Sequence, residues 1–106
     1  MANVYEVEAW GKTYRVSLTG KRYIQGNNLA ISMHDTETYE PFAKLTVNLR
    51  EGLKENQGYV DTNNCPWAID FIKKYELGKP TGDVFRSGYC VYPLYEFDME
   101  KLNGKG

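Results

Sequence analysis

Residues 59–78 carry the one convincing helix in the chain, with strand-like runs on both sides of it. Ala68, Phe71, Ile72 and Tyr75 recur at helical spacing, while Asp70, Lys73, Lys74 and Glu76 take the other side. That pattern gives a helix a single apolar stripe to bury. Residues 61–64 are Asp-Thr-Asn-Asn, short side chains able to accept the free N–H groups of a helix start. Pro66 suits a first turn, where no amide hydrogen is needed. Lys73 and Lys74 place positive charge in the last turns, and Gly78 is expected to stop the helix by turning left-handed. One striped helix needs one sheet to cover, which sets the class as α+β.

The runs before the helix alternate with a period of two. In residues 4–9, Tyr5, Val7 and Ala9 share one face and Glu6 and Glu8 the other. Residues 13–18 repeat the pattern, with Tyr14, Val16 and Leu18 inward. Trp10-Gly11-Lys12 forms the tight connection between them, and Glu6 or Glu8 faces Arg15 across the hairpin. Residues 22–24 read as a short strand piece before a polar turn at 25–28. Residues 29–34 form a third strand and 42–49 a fourth, with Ala43, Leu45, Val47 and Leu49 inward. Residues 79–88 read as a loop carrying Pro80, Gly82 and Gly88. An aromatic strand follows to Phe97, broken or at an edge because Pro93 lacks a ladder donor. Residues 98–106 are polar and expected to fray. The reading is a single α+β domain over residues 1–106. It has a five- or six-stranded, mainly antiparallel sheet with one helix packed on one face.

Thirteen basic and fourteen acidic side chains leave a formal charge of −1. That balance speaks against a basic stripe for direct nucleic-acid binding, and against an acidic mimic of a whole phosphate backbone. No apolar run reaches the length of a membrane span. The first eight residues have neither a basic n-region nor an apolar h-region, so the expected location is the cytoplasm. Two cysteines, Cys65 and Cys90, do not make a disulfide framework.

The sharpest catalytic arrangement centres on Cys65 at the helix start, where a thiolate would be favoured, with His34 as base and Asp35 or Asp61 as orienter. Strand parity opposes it, because His34 falls with Ala30 and Ser32 rather than with the Leu29, Ile31 and Met33 face. One His, two distant Cys and scattered carboxylates give no zinc spacing, and residues 61–65 lack the Gly and Glu of a calcium loop. No catalytic residue, metal site or cofactor is therefore assigned. Nine Tyr and two Trp are the compositional oddity, and Tyr suits binding surfaces as well as strands. The interface candidates are Asp35, Glu37, Tyr39 and Glu40 in one acidic loop, and Tyr92, Glu96 and Asp98 near the end.

Several blocks together resemble the small bacterial family of domain of unknown function 4313. They are residues 26–31 (Gly-Asn-Asn-Leu-Ala-Ile), 41–49 around Pro-Phe-Ala and Leu-Thr-Val-Asn-Leu, 60–64 (Val-Asp-Thr-Asn-Asn), 81–82, 87–89 and 92–97 (Tyr-Pro-Leu-Tyr-Glu-Phe). The resemblance runs from about Tyr5 to Leu102. It implies a small protein of a Firmicutes mobile genetic element, conjugative element or phage, and it supplies no catalytic residues. By association it implies a non-enzymatic anti-defence inhibitor, anti-CRISPR-like, that docks on a host nuclease complex. The expected partner is then a protein, a CRISPR effector or another host defence complex. The rival reading is an accessory or assembly protein of a conjugative element with no role in immunity; a cysteine enzyme at Cys65 comes third. The oligomeric state stays open.

Overall fold

The computed structural model describes residues 4–50 and 52–102. Alternation in the first run becomes β1 (Val4–Ala9), whose residues switch strictly between exposed and buried. Trp10 and Gly11 turn the chain with φ of 50° and 76°. Two positive φ values in a two-residue loop match the right-handed twist of the strands they join. β2 (Lys12–Arg22) returns antiparallel, with Glu6 opposite Arg15. The second half of β2 pairs with β3 (Leu29–Asp35), and β3 pairs with β4 (Pro41–Lys44).

The expected fourth strand is broken at Leu45. The Leu45 N–H donates to Ile31 O at 2.9 Å, and its C=O accepts from Asp61 N–H at 2.9 Å. The chain thereby leaves one sheet and enters a second as β5 (Thr46–Val47). β5 pairs with β6 (Gln57–Val60), which pairs with β8 (Cys90–Phe97), itself paired with β7 (Gly78–Ser87). The strands thus form two four-stranded antiparallel sheets, ordered β1-β2-β3-β4 and β5-β6-β8-β7, rather than one of five or six. The crossing also reverses parity: Thr46, expected outward, is buried. Its hydroxyl accepts the Ile31 N–H at 3.1 Å and contacts the Tyr23 hydroxyl at 3.2 Å. Burial of that polar group is offset by those partners.

The helix α1 (Ala68–Lys74) buries Ala68, Phe71 and Ile72, as its stripe requires. Residues 61–64 do not cap it. The Asp61 carboxylate accepts from the Asn64 backbone and side-chain amides at 3.3 and 2.9 Å, and so closes the loop ahead of the helix. The residue at the cap position is Trp67, with no side-chain hydrogen bond to the helix start. The helix ends before Gly78 is reached. Glu76 sits at φ 52°, Glu76 N–H donates to Lys73 O, and Leu77 N–H donates to Ile72 O. This is the paired closure of a Schellman motif. The Lys101 ammonium adds bonds to the Tyr75 and Glu76 carbonyls at 3.2 and 3.0 Å. That cation comes from α2 (Met99–Leu102), where the chain was expected to fray; Leu102 is buried and anchors it. Residues 103–106 lie outside the described residues.

Gly78 instead opens β7, in what reads as a loop by sequence. A Cβ there would lie 2.7 Å from Glu96 O, so the two strands approach closely because glycine is present. β7 is an edge strand, which accommodates Pro80, and Gly82 at φ 95° lies where the pairing register shifts. Pro93 lies in β8, an inner strand, but beyond the Leu94–Glu96 segment that pairs with β6. One core joins Val7, Val16, Ile31 and Met33 of the first sheet to Val60 and Phe97 of the second, with Phe71 and Ile72 from α1. Each such side chain contributes roughly 1.5–3 kcal/mol through burial.

Candidate binding surface

The β1–β2 turn leaves Trp10 66 % exposed, and the first sheet curls until this turn meets the far strand and the helix. Trp10 packs on Phe42 of β4 at 6.0 Å between centroids and on Trp67 at 6.3 Å. Tyr14 and Phe42 lie 4.9 Å apart, and Phe42 and Trp67 5.7 Å. The tilted and edge-on arrangements suit the ring quadrupoles. An aromatic plug therefore closes this end of the sheet, with Trp10 as its solvent-facing member. The Trp67 indole N–H is buried in the plug without a hydrogen-bond partner.

From the plug a groove of about 320 Å³ runs between β1 and α1, lined by Glu6, Glu8, Trp67, Asp70, Phe71 and Lys74. Three carboxylates against one ammonium make its rim acidic. Glu8 also lines the shallow hollow that continues past Trp10. At the far end of the groove the Tyr75 hydroxyl accepts the Glu6 N–H at 2.9 Å.

The interface candidates divide among three regions. Glu37, Tyr39 and Glu40 are exposed, Tyr39 at 83 % and φ 62°, in the loop between β3 and β4. Asp35 is engaged within that loop, where its carboxylate accepts the Glu37 and Thr38 N–H groups at 2.8 and 3.2 Å. Glu96 and Asp98 lie beside α1's C-terminal end with Lys73 and Lys79, around a separate hollow of about 650 Å³. Glu96 accepts from the Gln57 side chain at 3.1 Å, and Asp98 accepts the Glu100 and Lys101 N–H groups at the start of α2. Tyr92 is half-buried on the Phe85 side of the second sheet, with Phe85 opposite it in the pairing, not an exposed ring. Its contact with Cys90 raises the phenol above its ordinary range. Glu6, Glu8, Trp10 and Asp70 escaped notice because they are read locally as wet strand, turn and helix. Their convergence depends on which strand is the edge and where α1 lies.

Cys65 is buried beneath this region, not in the first turn of the helix. Its Sγ contacts Lys44 O at 3.7 Å. Burial, with a smaller push from the Asp61 charge, raises the thiol to about 11, the reverse of an activated thiolate. His34 lies on the other face of β3 from the core residue Met33, paired with Ser17. Cys65 and Cys90 are both free thiols. Among the described residues no three His, Cys, Asp or Glu are grouped to hold a metal ion, and no helix is long and apolar enough to cross a membrane.

The family model described as a domain of unknown function, DUF4313, matches residues 17–104. The match starts within β2, so β1 and its hairpin turn precede it. Comparison with curated proteins gives no match, and comparison with solved structures gives none.

Proposed function

The chain belongs to the DUF4313 family, and from that premise we propose that it is a non-enzymatic binding protein. It docks on a protein partner through the end of the first sheet that carries Trp10 and Tyr39. The observation that carries this reading is Trp10 itself. The first position of such a turn favours Asn or Gly, because a side chain at positive φ costs about 1–2 kcal/mol. A large exposed indole held there at φ 50° is a local expense that packing on Phe42 and Trp67 offsets. Strain of this kind concentrates at functional positions, and exposed Trp and Tyr are the usual anchors of an interface. The carboxylates of Glu8, Glu37 and Glu40 give the same end an acidic rim.

An acidic rim around aromatic anchors complements the basic channels with which nucleases hold nucleic acid. The partner class in view is therefore a host nuclease complex, a CRISPR effector foremost. The protein would act as an anti-defence inhibitor of a mobile element or phage in the bacterial cytoplasm. The test combines capture on purified effectors with plasmid interference in cells. A complex that protects the plasmid, and that weakens at least tenfold with the Trp10→Ala, Tyr39→Ala pair, supports the reading. No complex and no protection with any effector defeats the anti-defence version.

A second reading is an assembly protein of a conjugative element. It is favoured by the outward apolar side chains Val84 and Val91 and the tip residue Tyr89 on the β7–β8 hairpin. Self-association lost on Tyr89→Ser and Val91→Thr substitution supports it over the first.

A further inference from the structure

The ladder between β1 and β2 fixes which way each backbone group of β1 points. In a two-residue hairpin the residues flanking the turn, here Ala9 and Lys12, exchange both hydrogen bonds. Tyr5, Val7 and Ala9 then direct N–H and C=O toward β2, and Val4, Glu6 and Glu8 direct theirs away from the sheet. The bond from Glu6 N–H to the Tyr75 hydroxyl confirms that direction. β1 is the outermost strand of its sheet, so Glu8 presents a backbone donor and acceptor to the groove. The Glu6 and Glu8 side chains stand on the solvent face beside that edge, and the Asp70 carboxylate stands across it on α1. Between them Trp67 and Phe71 offer apolar surface.

An open strand edge, an apolar slot beside it and carboxylates on both rims are the parts needed to receive an added strand. The geometry points to β1 as the docking edge for an extended basic segment of a partner protein, in which Lys or Arg alternates with apolar residues. This inference rests on the binding function proposed above and names the chemistry of what is bound. A basic residue of the segment lies opposite Glu8 as a cross-strand pair, and the Glu6 carboxylate adds negative charge on the same face beside it. The intervening apolar residues enter the slot against Trp67 and Phe71. Charge selects this occupant over a second copy of the chain. A β1 edge paired antiparallel with itself would set Glu6 and Glu8 beside their own copies, which repel. The Tyr75 hydroxyl blocks the Glu6 end, so the added strand registers on Glu8 and extends toward Trp10.

The probe is a synthetic seven-residue peptide alternating lysine with valine. The controls are the same peptide with glutamate for lysine, and one with its lysines grouped together. Expected are binding in the micromolar range and amide shifts centred on Glu8. The two controls should bind at least tenfold more weakly. Glu8→Pro should abolish binding, since proline removes the outward N–H while leaving the β2 ladder intact. A second variant, Glu6→Gln with Glu8→Gln, should weaken binding about tenfold and flatten its salt dependence, without relying on proline being tolerated. Equal binding by the glutamate peptide, or shifts that avoid β1, overturns the inference. So does a β1-dependent dimer of the protein alone. Capture of a defined partner that needs Trp10 and Tyr39 but tolerates Glu8→Pro sinks the added strand and leaves the proposed function standing. Peptide binding that needs Glu8, with partner capture indifferent to Trp10 and Tyr39, sinks the wider reading and keeps the edge.

Discussion

The Tyr75 hydroxyl sits 2.9 Å from the Glu6 backbone nitrogen and accepts its N–H, tying the end of α1 to the edge of the first sheet across 69 positions of sequence. Tyr5 packs on the same ring at 4.8 Å. Replacing Tyr75 with Phe keeps the ring and removes the acceptor. The bond is exposed, so water replaces it, and the loss is about 0.5–1 kcal/mol by urea unfolding. The Glu6 amide should exchange with solvent faster, while the amides of Tyr5 and Val7 keep their rates.

Glu76 occupies the left-handed position of the helix stop that glycine would fill without strain. Glu76→Gly should therefore stabilise the fold by about 1 kcal/mol, against the usual cost of added glycine. An unchanged or lower midpoint in chemical denaturation would mean that contacts of the Glu76 side chain outweigh the strain.

Gly78→Ala tests the neighbouring position in the opposite sense. The new Cβ would stand 2.7 Å from Glu96 O and 3.1 Å from the Phe97 ring. Backbone cannot yield as a flexible side chain can, so a loss of roughly 1–3 kcal/mol is expected. The register of β7 on β8 should loosen at that end, visible as faster exchange of the Asp98 amide, which otherwise donates to Leu77 O.

The Cys65 thiol, moved by burial from its ordinary value of 9.0 to about 11, makes stability depend on alkaline pH. Between those values the unfolded chain loses the proton and the folded chain keeps it. The contribution is therefore complete below pH 9 and declines as pH rises toward 11. Burial raises Tyr23 and Tyr95 in the same direction. Cys65→Ser or Cys65→Ala should flatten part of that decline in denaturation measured from pH 8 to 11. In the native protein at pH 8, mass spectrometry should find iodoacetamide on the partly exposed Cys90 before Cys65.

Much of the first sheet was legible because its strands keep one wet face: Tyr5, Val7 and Ala9 against Glu6 and Glu8 is a pattern that local sequence carries in full. The helix stripe was legible for the same reason. The split into two sheets was not, since Ala43, Leu45 and Val47 maintain their alternation straight through the bend, and only long-range bonds to Ile31 and Asp61 reveal it. Gly78 read as a helix stop because glycine commonly plays that part, yet the chain puts glutamate in the left-handed position and reserves glycine for a crowded strand pair. The exposure of Glu37, Tyr39 and Glu40 could be read from the sequence, because a polar turn between two strands stays in water. The groove could not, because its walls come from residues 6–8 and 67–74 and meet only once β1 is known to be an edge.

Leu45 belongs by its nitrogen to one layer of strands and by its oxygen to the other. A residue spliced in this way behaves like a rivet: neither layer can peel back without shearing the bond that holds its neighbour. Slow exchange at the Leu45 and Asp61 amides should accordingly be lost in a single step, and the protein should melt as one cooperative body rather than sheet by sheet.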